Sequence, residues 1–566
     1  MGNEAGNGVN FMAVYDWLKK EDPSRLVQYE RSILEYDTDI FCPQYNDPDN
    51  VKRYLDRNDP RPIIQSEYAH AMGNSMGGFK EYWDQIRKEP RAQGGFIWDW
   101  VDQSVNHQLN GRTVRVYGGD CNDYDPTDAN FCDNGIVAPD RTWHPSAYEV
   151  QHYYQDIWTS LSKGIGKNIH IAVYNEHFFK NLSNYYLKWT LLCNGCPVKG
   201  GVIENLDIDA LQERTYALPC KIDELDAESE QLLNVEYYEK NPSPLIPAGW
   251  CVARQQIVLN DYSPKALVFD EVKNVSTPTL NENDGKLLIH GADFELAIDK
   301  QTGFITRYYA HGSELMAESA ALTPNFWRAP VDNDYGAGTH KRYRAWLDPQ
   351  LTLTALNHQT DGENIVVCAT YDMKAVDGKL QLTYTIAKTG QVKINEKMSV
   401  SQTEENKYMF RFGMKLQMPQ KMQKVSYYGR GPVENYIDRK GCAFVGRYTQ
   451  SVDELAPLDY IRPQEMGTHT DLREWKVYDG SASGIVFTSD DLFSASSLNY
   501  SVEKLDGGDP KCQGHTELLE KDPFVTVCID KVQCGVGGID SWYSLPLPPY
   551  RVEVGDKEFT FMMSPL

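Results

Sequence analysis

Two hydrophobic periods divide the chain. Between residue 1 and about residue 155, apolar residues at helical spacing alternate with short, continuous apolar runs. For example, Val9, Met12, Ala13 and Trp17 fall on one face of a helix. Because helical segments and apolar runs take turns along this stretch, the pattern predicts an α/β domain.

Four strands are predicted in this first part of the chain. The predicted strands are 26–29, 38–43, 62–66 and 95–98, and the helices predicted to accompany them are 47–56, 79–88 and 143–154. Pro145 is expected to begin the last helix, since proline fits the first helical turn. Four parallel strands with helices between them correspond to half of an eight-stranded α/β barrel.

From about residue 156 the period changes to two, and no further helix is predicted. Residues 156–260, with clear strands at 169–173 and 186–192, suit a small immunoglobulin-like β-sandwich. Residues 261–283 are rich in Ser, Pro, Asn and Thr and are predicted to be a linker. Residues 284–566 predict a large all-β domain, so the fold class is multidomain, α/β followed by all-β. Its clearest predicted hairpins are 294–299 with 304–308, and 380–386 with 392–394.

The charge of the chain disfavours two kinds of partner. A formal net charge of −24 and a pI of about 5.0 argue against nucleic acid and against an anionic membrane surface. The apolar runs are also far too short to span a membrane. We therefore expect a cytoplasmic or periplasmic protein, with no signal sequence that can be assessed.

The 12 cysteines are scattered, which favours free thiols in a reducing compartment. Cys193-Asn-Gly-Cys196 has the spacing of metal ligands, but no second pair and no histidine cluster accompanies it. A β-turn with two incidental cysteines is therefore preferred over a zinc site.

Two carboxylates are candidate catalytic groups. Glu67 follows the apolar pair Ile63 and Ile64 at the C-terminal end of a predicted strand, where α/β barrels hold their catalytic residues. Glu4 lies before the first predicted helix, and the paired tryptophans Trp98 and Trp100 lie at the end of another predicted strand. Glycoside cleavage requires one carboxyl group to protonate the leaving oxygen and another to attack the anomeric carbon or activate water. For Glu67, an acidic residue that merely opens a helix is the alternative.

Longer motifs accompany these residues over nearly the whole chain. The segments are Gly2-Asn-Glu4, Asp22-Pro-Ser-Arg25, Val27-Gln-Tyr-Glu30, Cys42-Pro43, Ser66-Glu-Tyr-Ala-His-Ala-Met-Gly-Asn-Ser75, Trp98-Asp-Trp-Val-Asp-Gln-Ser104, Asp140-Arg-Thr142, Arg328-Ala-Pro-Val-Asp-Asn-Asp334, Gly431-Pro-Val-Glu-Asn-Tyr436 and Gly535-Val-Gly-Gly-Ile-Asp-Ser-Trp542. In sequence and order they resemble the large bacterial β-galactosidases of glycoside hydrolase family 2. The resemblance implies that residues 1–155 are the second half of a TIM (β/α)8 barrel and that the C-terminal domain is a β super-sandwich.

The resemblance also implies a retaining glycoside hydrolase that acts on terminal β-D-galactosyl residues. Glu67 matches the nucleophile that forms the galactosyl ester, and Glu4 matches the acid/base. Tyr45 matches the tyrosine that lies beside the nucleophile and assists departure of the galactosyl group. By pattern alone, a tyrosine at a strand end is more often part of a core or a rim.

Four residues match the family's ligands for sugar and ions. His70 matches a ligand of the substrate or transition state, and Trp98 matches the floor on which galactose stacks. Phe131, through its carbonyl, and Asn134, through its side-chain oxygen, match a Na⁺ or K⁺ site that helps to seat the sugar. Without the resemblance, His70 would be an ordinary hydrogen-bonding residue, Trp98 a core residue and 131–134 an Asx turn.

Three positions leave questions open. Glu4 matches a Mg²⁺ ligand, but the upstream carboxylate and imidazole ligands are absent, so the Mg²⁺ site is expected to be incomplete. A tryptophan of the family's C-terminal domain lines the aglycone site, and counting back from the 535–542 motif assigns Thr526 to that position. Gln44 stands where the family has an apolar Met. The aglycone preference therefore stays open.

Family members carry several hundred residues before the first catalytic glutamate, which is residue 4 here. We therefore expect an N-terminally truncated chain that lacks activity alone, with a partner that is either the missing N-terminal half or a second copy in a homo-oligomer. A β-galactoside is the expected substrate, and a β-glucuronide is a weaker alternative. The non-enzyme alternative is an inactive fragment that serves as a carbohydrate-binding or assembly module.

Overall fold

The computed structural model describes residues 2–109, 111–162, 168–221, 226, 228–283, 285–458, 460–509 and 513–566. Three units follow one another along the chain, a mixed α/β unit, a small β unit and a large β unit. Within these ranges no helix is long and apolar enough to cross a membrane.

The first unit contains α1 (Val9–Glu21), α2 (Pro48–Leu55), β1 (Ile63–Tyr68), α3 (Phe79–Lys88), β2 (Ala92–Ile97), β3 (Val105–Leu109), β4 (Arg112–Val116) and α4 (Pro145–Tyr153). The helices predicted after the strands are confirmed, and proline does occupy the first turn of α4. The two later predicted strands are confirmed as β1 and β2, which pair in parallel.

Turns of 3₁₀ helix occur in all three units, at Glu30–Ser32, Ala129–Cys132, Leu182–Asn184, Arg344–Trp346, Thr516–Leu518 and Pro548–Tyr550.

The second predicted barrel strand is wrong as a regular strand. It meets β1 only at two isolated parallel bridges, Phe41 with Ile63 and Gln44 with Glu67. Pro43 lies between the two bridges and has no backbone N–H to donate, so the ladder is interrupted there. The segment nevertheless lies beside β1, and this contact brings Tyr45, which follows it, next to Glu67.

The first predicted barrel strand, residues 26–29, is also wrong. The N–H of Val27 donates to the Asp39 carboxylate at 2.8 Å, and the Val27 carbonyl accepts from the Asp39 N–H at 2.8 Å. Because one residue takes both backbone groups of Val27, this segment does not join a ladder. The half-barrel is therefore a two-stranded parallel sheet with one bridged neighbouring segment.

The second unit is built from two antiparallel sheets. Its strands are β5 (Ile157–Ser162), β6 (Asn168–Asn175), β7 (Tyr185–Cys193), β8 (Cys196–Ile203), β9 (Glu213–Lys221), β10 (Gln231–Glu239) and β11 (Cys251–Asn260). One sheet has the order β5-β6-β9 and the other β11-β10-β7-β8. One apolar cluster, which includes Trp189 and Tyr237, takes residues from both sheets. The predicted strands at 169–173 and 186–192 are confirmed, whereas an immunoglobulin topology stays a prediction.

The third unit is almost entirely β. Its elements are β12 (Thr279–Asn283), β13 (Lys286–His290), β14 (Phe294–Asp299), β15 (Ile305–Ala310), β16 (Ser313–Glu314), β17 (Thr323–Asn325), α5 (Asp332–Gly336), α6 (Thr339–Arg342), β18 (Leu351–Asp361), β19 (Asn364–Met373), β20 (Gly378–Ile386), β21 (Val392–Val400), β22 (Tyr408–Met409), β23 (Arg411–Pro419), β24 (Lys424–Gly431), β25 (Phe444–Ser451), β26 (His469–Leu472), β27 (Glu474–Tyr478), β28 (Gly484–Ser489), β29 (Phe493–Leu498), α7 (Val502–Leu505), β30 (Phe524–Gln533), β31 (Val552–Glu553) and β32 (Lys557–Pro565). A nine-stranded sheet (β18-β19-β20-β21-β32-β28-β27-β24-β25) and two five-stranded sheets (β12 to β16, and β17-β23-β30-β29-β26) contribute to one apolar cluster. Both predicted hairpins are confirmed, as β14 with β15 and β20 with β21.

Two predictions for the later part of the chain need correction. The end of the predicted linker 261–283 is strand β12, which pairs with β13 at the edge of a sheet. Its residues are mostly exposed, so no buried alternation marks it as a strand. The expectation that helices end at residue 156 is also wrong, because α5, α6 and α7 follow. Each has five residues or fewer, too short for a helical period to be visible.

A carboxyl group without a partner lies in the core of the third unit. Glu396 on β21 stands between Leu382 on β20 and Phe559 on β32. Its side chain is fully buried, and neither oxygen has a hydrogen-bond partner among the described residues. Burial raises the pKa of the Glu396 carboxyl well above its ordinary range. This position therefore costs stability whenever the unfolded chain would ionise it.

Glu396→Met should raise the free energy of unfolding by about 1–3 kcal/mol at pH 8, because an unpaired buried polar group is removed. The folded-state pKa of Glu396 lies above its unfolded value, so the folded chain holds a proton that the unfolded chain releases. Stability is then lost as the pH rises above the unfolded pKa, and the advantage of Met grows with pH. Denaturant unfolding from pH 5 to pH 8 measures this, with exposed Glu404→Met as the control. A gain that does not change with pH would contradict the assignment.

Candidate active site

A cavity of about 800 Å³ opens at the C-terminal ends of β1 and β2. Its lining residues are Asn3, Glu4, Glu30, Arg31, Ile33, Phe41, Pro43, Gln44, Tyr45, Asn46, Glu67, His70, Trp98, Phe131, Asp540 and Trp542. Six of the seven residues predicted from the sequence are therefore brought together. The seventh, Asn134, does not line the cavity, but its side-chain amide donates a hydrogen bond to the carbonyl of Phe131, which does.

Glu67 is held by two donors. The Tyr45 hydroxyl donates to one carboxylate oxygen at 2.7 Å, and the Gln44 side-chain amide donates to the other at 2.9 Å. The backbone fixes both donors, because the Tyr45 N–H donates to the Glu67 carbonyl at 2.8 Å. Gln44, noted from the sequence as a departure from the family, thus orients the predicted nucleophile.

Tyr45 remains a proton donor at neutral pH. Burial raises the pKa of its hydroxyl far above the ordinary value, and the hydrogen bond to Glu67 and the negative charges of Glu67 and Glu4 raise it further. A protonated phenol can donate to a carboxylate at all times. The pair is therefore a fixed carboxylate with a permanent donor.

Glu4 lies at the exposed part of the cavity. Its carboxylate is 3.3 Å from the Arg31 guanidinium, and its side chain is 56 % exposed. The Glu4 N–H donates to the Glu30 carboxylate at 2.6 Å, and the Tyr29 hydroxyl donates to the Gly6 carbonyl at 2.6 Å, so backbone contacts tie this segment to the 3₁₀ turn. The predicted acid/base is thus less firmly positioned than Glu67.

A chain of hydrogen bonds fixes the tautomer of His70. The Asn333 amide donates to the Val536 carbonyl at 3.0 Å, so its oxygen accepts from the Ser541 hydroxyl at 2.6 Å. The Ser541 oxygen, 2.7 Å from Nδ1 of His70, then accepts from that nitrogen. Burial lowers the pKa of His70 to about 4. At neutral pH His70 is therefore uncharged, and its Nε2 is left as an acceptor.

Aromatic rings form the apolar wall of the cavity. Trp98 follows β2, and its carbonyl accepts from the Ala71 N–H at 2.8 Å. Trp542 packs edge-on against Tyr45, with ring centroids 4.7 Å apart, and lies 5.2 Å from His70. Flat apolar faces with an indole N–H at the edge suit the C–H face and hydroxyls of a sugar.

The assignment of Thr526 to the aglycone position is wrong. Thr526 is buried in β30, opposite Gln417 and Leu498, and is not among the residues that line the cavity. The tryptophan that the third unit contributes is Trp542, within the 535–542 motif.

Sequence reasoning also missed the loop that presents Trp542. The Asp540 carboxylate accepts from the N–H groups of Trp542, Tyr543 and Ser544 at 2.9 to 3.1 Å, which closes a tight turn. Asp followed by Ser and a Trp is the signal that could have identified an Asx turn there.

Phe131 and Asn134 have the chemistry of a monovalent-cation site. The Asn134 side-chain amide lies 2.7 Å from the Phe131 carbonyl, and its other polar atom, Oδ1, is buried without a hydrogen-bond partner among the described residues. A half-turn of the amide about its χ2 axis places that oxygen beside the carbonyl oxygen. Two hard oxygen donors would then face the same point, which fits Na⁺ or K⁺.

The described residues do not fit a Mg²⁺ site at Glu4. Within the described ranges no group of three or more His, Cys, Asp or Glu side chains is arranged to hold a metal. The Glu4 carboxylate instead forms an ion pair with Arg31, which cannot be a metal ligand.

Three protein-family models match the chain in order. "Glycosyl hydrolases family 2, TIM barrel domain" matches residues 1–159, "Beta-galactosidase, domain 4" matches 171–260, and "Beta galactosidase small chain" matches 290–563. Together they follow the three structural units.

Curated relatives match over almost all of this chain. A "Beta-galactosidase" of Priestia megaterium is 33 % identical over 577 residues, which cover 100 % of this chain and 54 % of the relative. One of Vibrio cholerae is 34 % identical, covering 96 % and 53 %, and one of Pseudoalteromonas haloplanktis is 31 % identical, covering 100 % and 56 %. The chain spans about half the length of these relatives.

Proposed function

Since the chain belongs to glycoside hydrolase family 2, we propose that its cavity binds the terminal β-D-galactosyl residue of a β-galactoside and that Glu67 attacks the anomeric carbon. The observation that carries the proposal is the carboxylate of Glu67, held by Tyr45 and Gln44 beside an aromatic wall. A fixed carboxylate next to a sugar-sized apolar surface is what a glycosidase nucleophile requires.

The proposed reaction is a double displacement. Glu67 forms a bond to the anomeric carbon while Glu4 donates a proton to the departing glycosidic oxygen. Glu4 then takes a proton from water, and that water displaces Glu67 from the galactosyl ester. Two inversions leave the configuration retained, which requires carboxyl groups about 5 Å apart.

Tyr45 acts on the Glu67 carboxylate in this scheme. Its donated hydrogen bond stabilises negative charge on the carboxylate oxygen that leaves when the ester is cleaved. The high pKa of Tyr45 keeps the proton on the phenol throughout. Tyr45 therefore assists departure of the galactosyl group without giving up its proton.

His70 and the tryptophans position the sugar. With Nδ1 donating to Ser541, the Nε2 of His70 accepts a hydrogen bond from a sugar hydroxyl. Trp98 stacks on the galactose ring, and Trp542 takes the aglycone side of the cavity. β-Glucuronides are the weaker candidate class of substrate, because the relatives are named β-galactosidases.

A partner polypeptide is part of the proposal. Large apolar side chains of the first unit are strongly exposed, among them Val9 (79 %) and Trp17 (58 %) on α1, Leu26 (65 %), and Phe96 (61 %) on β2. The occupant we propose is a polypeptide corresponding to the other half of the relatives' length, since it would add strands beside the two-stranded sheet. A second copy of this chain is the alternative occupant.

In an active assembly, a 2-deoxy-2-fluorogalactosyl inhibitor with a good leaving group should esterify Glu67. The fluorine slows hydrolysis of the ester, so the labelled enzyme accumulates. Peptide mass mapping should find the label on the segment that contains Glu67, and Glu67→Gln should abolish labelling. A label on another carboxylate would assign the nucleophile elsewhere.

Asn134→Ala should remove a response to Na⁺ and K⁺. At constant ionic strength, replacing tetramethylammonium by Na⁺ or K⁺ should raise the melting temperature of the wild type but not of the variant, because one of two cation donors is lost. In the active assembly, KM should rise more than kcat falls. Asn106→Ala, on exposed β3, is the matched control. An identical cation response in wild type and Asn134→Ala would refute the site.

The 566-residue chain alone should hydrolyse a nitrophenyl β-galactoside poorly, and adding the proposed partner polypeptide should restore the rate. The physical reason is that Glu4 is more than half exposed, and misplacing a catalytic group by about 1 Å already costs on the order of 10²-fold. Initial rates with and without the partner, using Glu67→Gln as the background, measure the effect. Full turnover by the chain alone, lost in Glu67→Gln, would show that no partner is needed.

A further inference from the structure

Cys193 and Cys196 end two antiparallel strands that are joined by a two-residue turn. Asn194 and Gly195 form the turn between β7 and β8, with φ of 47° and 76°. Positive φ at both central positions defines a type I′ turn, which closes a tight hairpin. The two cysteines are direct cross-strand partners. Among the described cysteines no other two are cross-strand partners.

Cross-strand partners are close enough for a disulfide. Directly opposite residues have Cα atoms about 4.5–5.5 Å apart, within the range of about 4.4–6.8 Å found for disulfides. Opposite residues also place their side chains on the same face of the sheet. Their Cβ atoms, about 4.5–5.5 Å apart, must approach slightly to reach the disulfide range of about 3.5–4.5 Å. A bond closed under such strain is easily reduced.

The turn is held in place by the rest of the protein. The Asn194 carbonyl accepts from the Arg447 guanidinium at 3.1 Å, and the Asn194 side chain accepts from the Glu230 N–H at 3.1 Å. A Cβ at Gly195 would lie 2.6 Å from the ring of Tyr428, so only glycine fits against the third unit. These contacts hold the turn, and with it the backbone of the two flanking cysteines, in one arrangement.

The two thiols differ in access. Cys196 is exposed, whereas Cys193 is partly buried and accepts a hydrogen bond from the Gln231 side chain at 3.4 Å. Neither cysteine lines the catalytic cavity. An exposed attacking thiol beside a sheltered second thiol is the arrangement that disulfide exchange requires.

We propose that Cys193 and Cys196 are a redox modification site that forms a reversible disulfide by exchange with an oxidised low-molecular-weight thiol such as glutathione disulfide. The thiolate of Cys196 attacks one sulfur of glutathione disulfide, which breaks that S–S bond and releases one glutathione thiolate. The thiolate of Cys193 then attacks the sulfur of Cys196 and expels the second glutathione. Two protein thiols are oxidised, one glutathione disulfide is reduced to two thiols, and the two protons pass to the released glutathione.

The test uses the full chain, reduced and then equilibrated anaerobically in buffers with graded ratios of glutathione to glutathione disulfide. After acid quenching, alkylation and trypsin digestion, the peptide 189–199 is weighed. At reducing ratios it should carry two alkyl groups, and at oxidising ratios it should carry none and lack two hydrogens. Exposed Cys121, which lies in a loop outside the strands, should form only a mixed disulfide with glutathione.

Single variants separate the two roles. Cys193→Ser should accumulate glutathione on Cys196, because the second displacement is blocked. Cys196→Ser should react with glutathione disulfide at least tenfold more slowly, because Cys193 is partly buried. If either variant misfolds by circular dichroism, the wild-type peptide still decides the question. Two alkylated cysteines at every ratio, or separate glutathione adducts without loss of two hydrogens, would overturn the proposal.

Discussion

The loop after β1, residues 73–78, is the point on which the active-site geometry depends. It has no regular secondary structure, yet most of it is buried, so its backbone groups need partners elsewhere. The third unit supplies them. The Gly77 N–H donates to the Gly537 carbonyl at 2.7 Å, the Gly78 N–H to the Asp438 carbonyl at 2.8 Å, and Arg439 to the Ser75 carbonyl at 2.5 Å. Residues on both sides of this contact reach the cavity, His70 from the first unit and Trp542 from the third.

Close approach is what makes this contact specific. A Cβ at Gly77 would lie 1.8 Å from the Asp438 carboxylate, which itself accepts from the N–H groups of Val536 and Gly537 at 3.1 and 2.9 Å. Arg439 is fully buried and paired with Glu434 at 2.7 Å. Breaking a buried pair of this kind costs about 3–5 kcal/mol, because one charge is left uncompensated. The two units therefore dock in a single relative position, and this position sets the geometry of the cavity.

Local features of the site could be predicted from the sequence, and distant ones could not. Strand β1, helices α3 and α4 and the position of Glu67 follow from periods and turn residues within a few positions of one another. The interruption of the ladder at Pro43 could not be predicted, because the sequence alone does not show which backbone N–H groups the neighbouring strand needs as donors. The partner of His70 is Ser541, 471 positions away, and no local period encodes such a pairing. For the same reason, sequence position alone wrongly assigned Thr526 to the cavity, whereas Trp542 lines the cavity once the two units are docked.

The way in which the third unit docks on the first argues against the alternative that the β units serve only as a separate binding module. If they did, the cavity would be complete within the first unit, and the third would only lie near it. Instead, Ser541 sets the tautomer of His70, and Trp542 packs against Tyr45, which is the donor to Glu67. The third unit thus reaches the predicted nucleophile through a single intervening ring. Glu4 is different, since its contacts are with Glu30 and Arg31 of the first unit. The predicted nucleophile is thus held by contacts from two units, whereas the predicted acid/base lies on one exposed segment. It is on the latter side that the proposed partner polypeptide would contribute most.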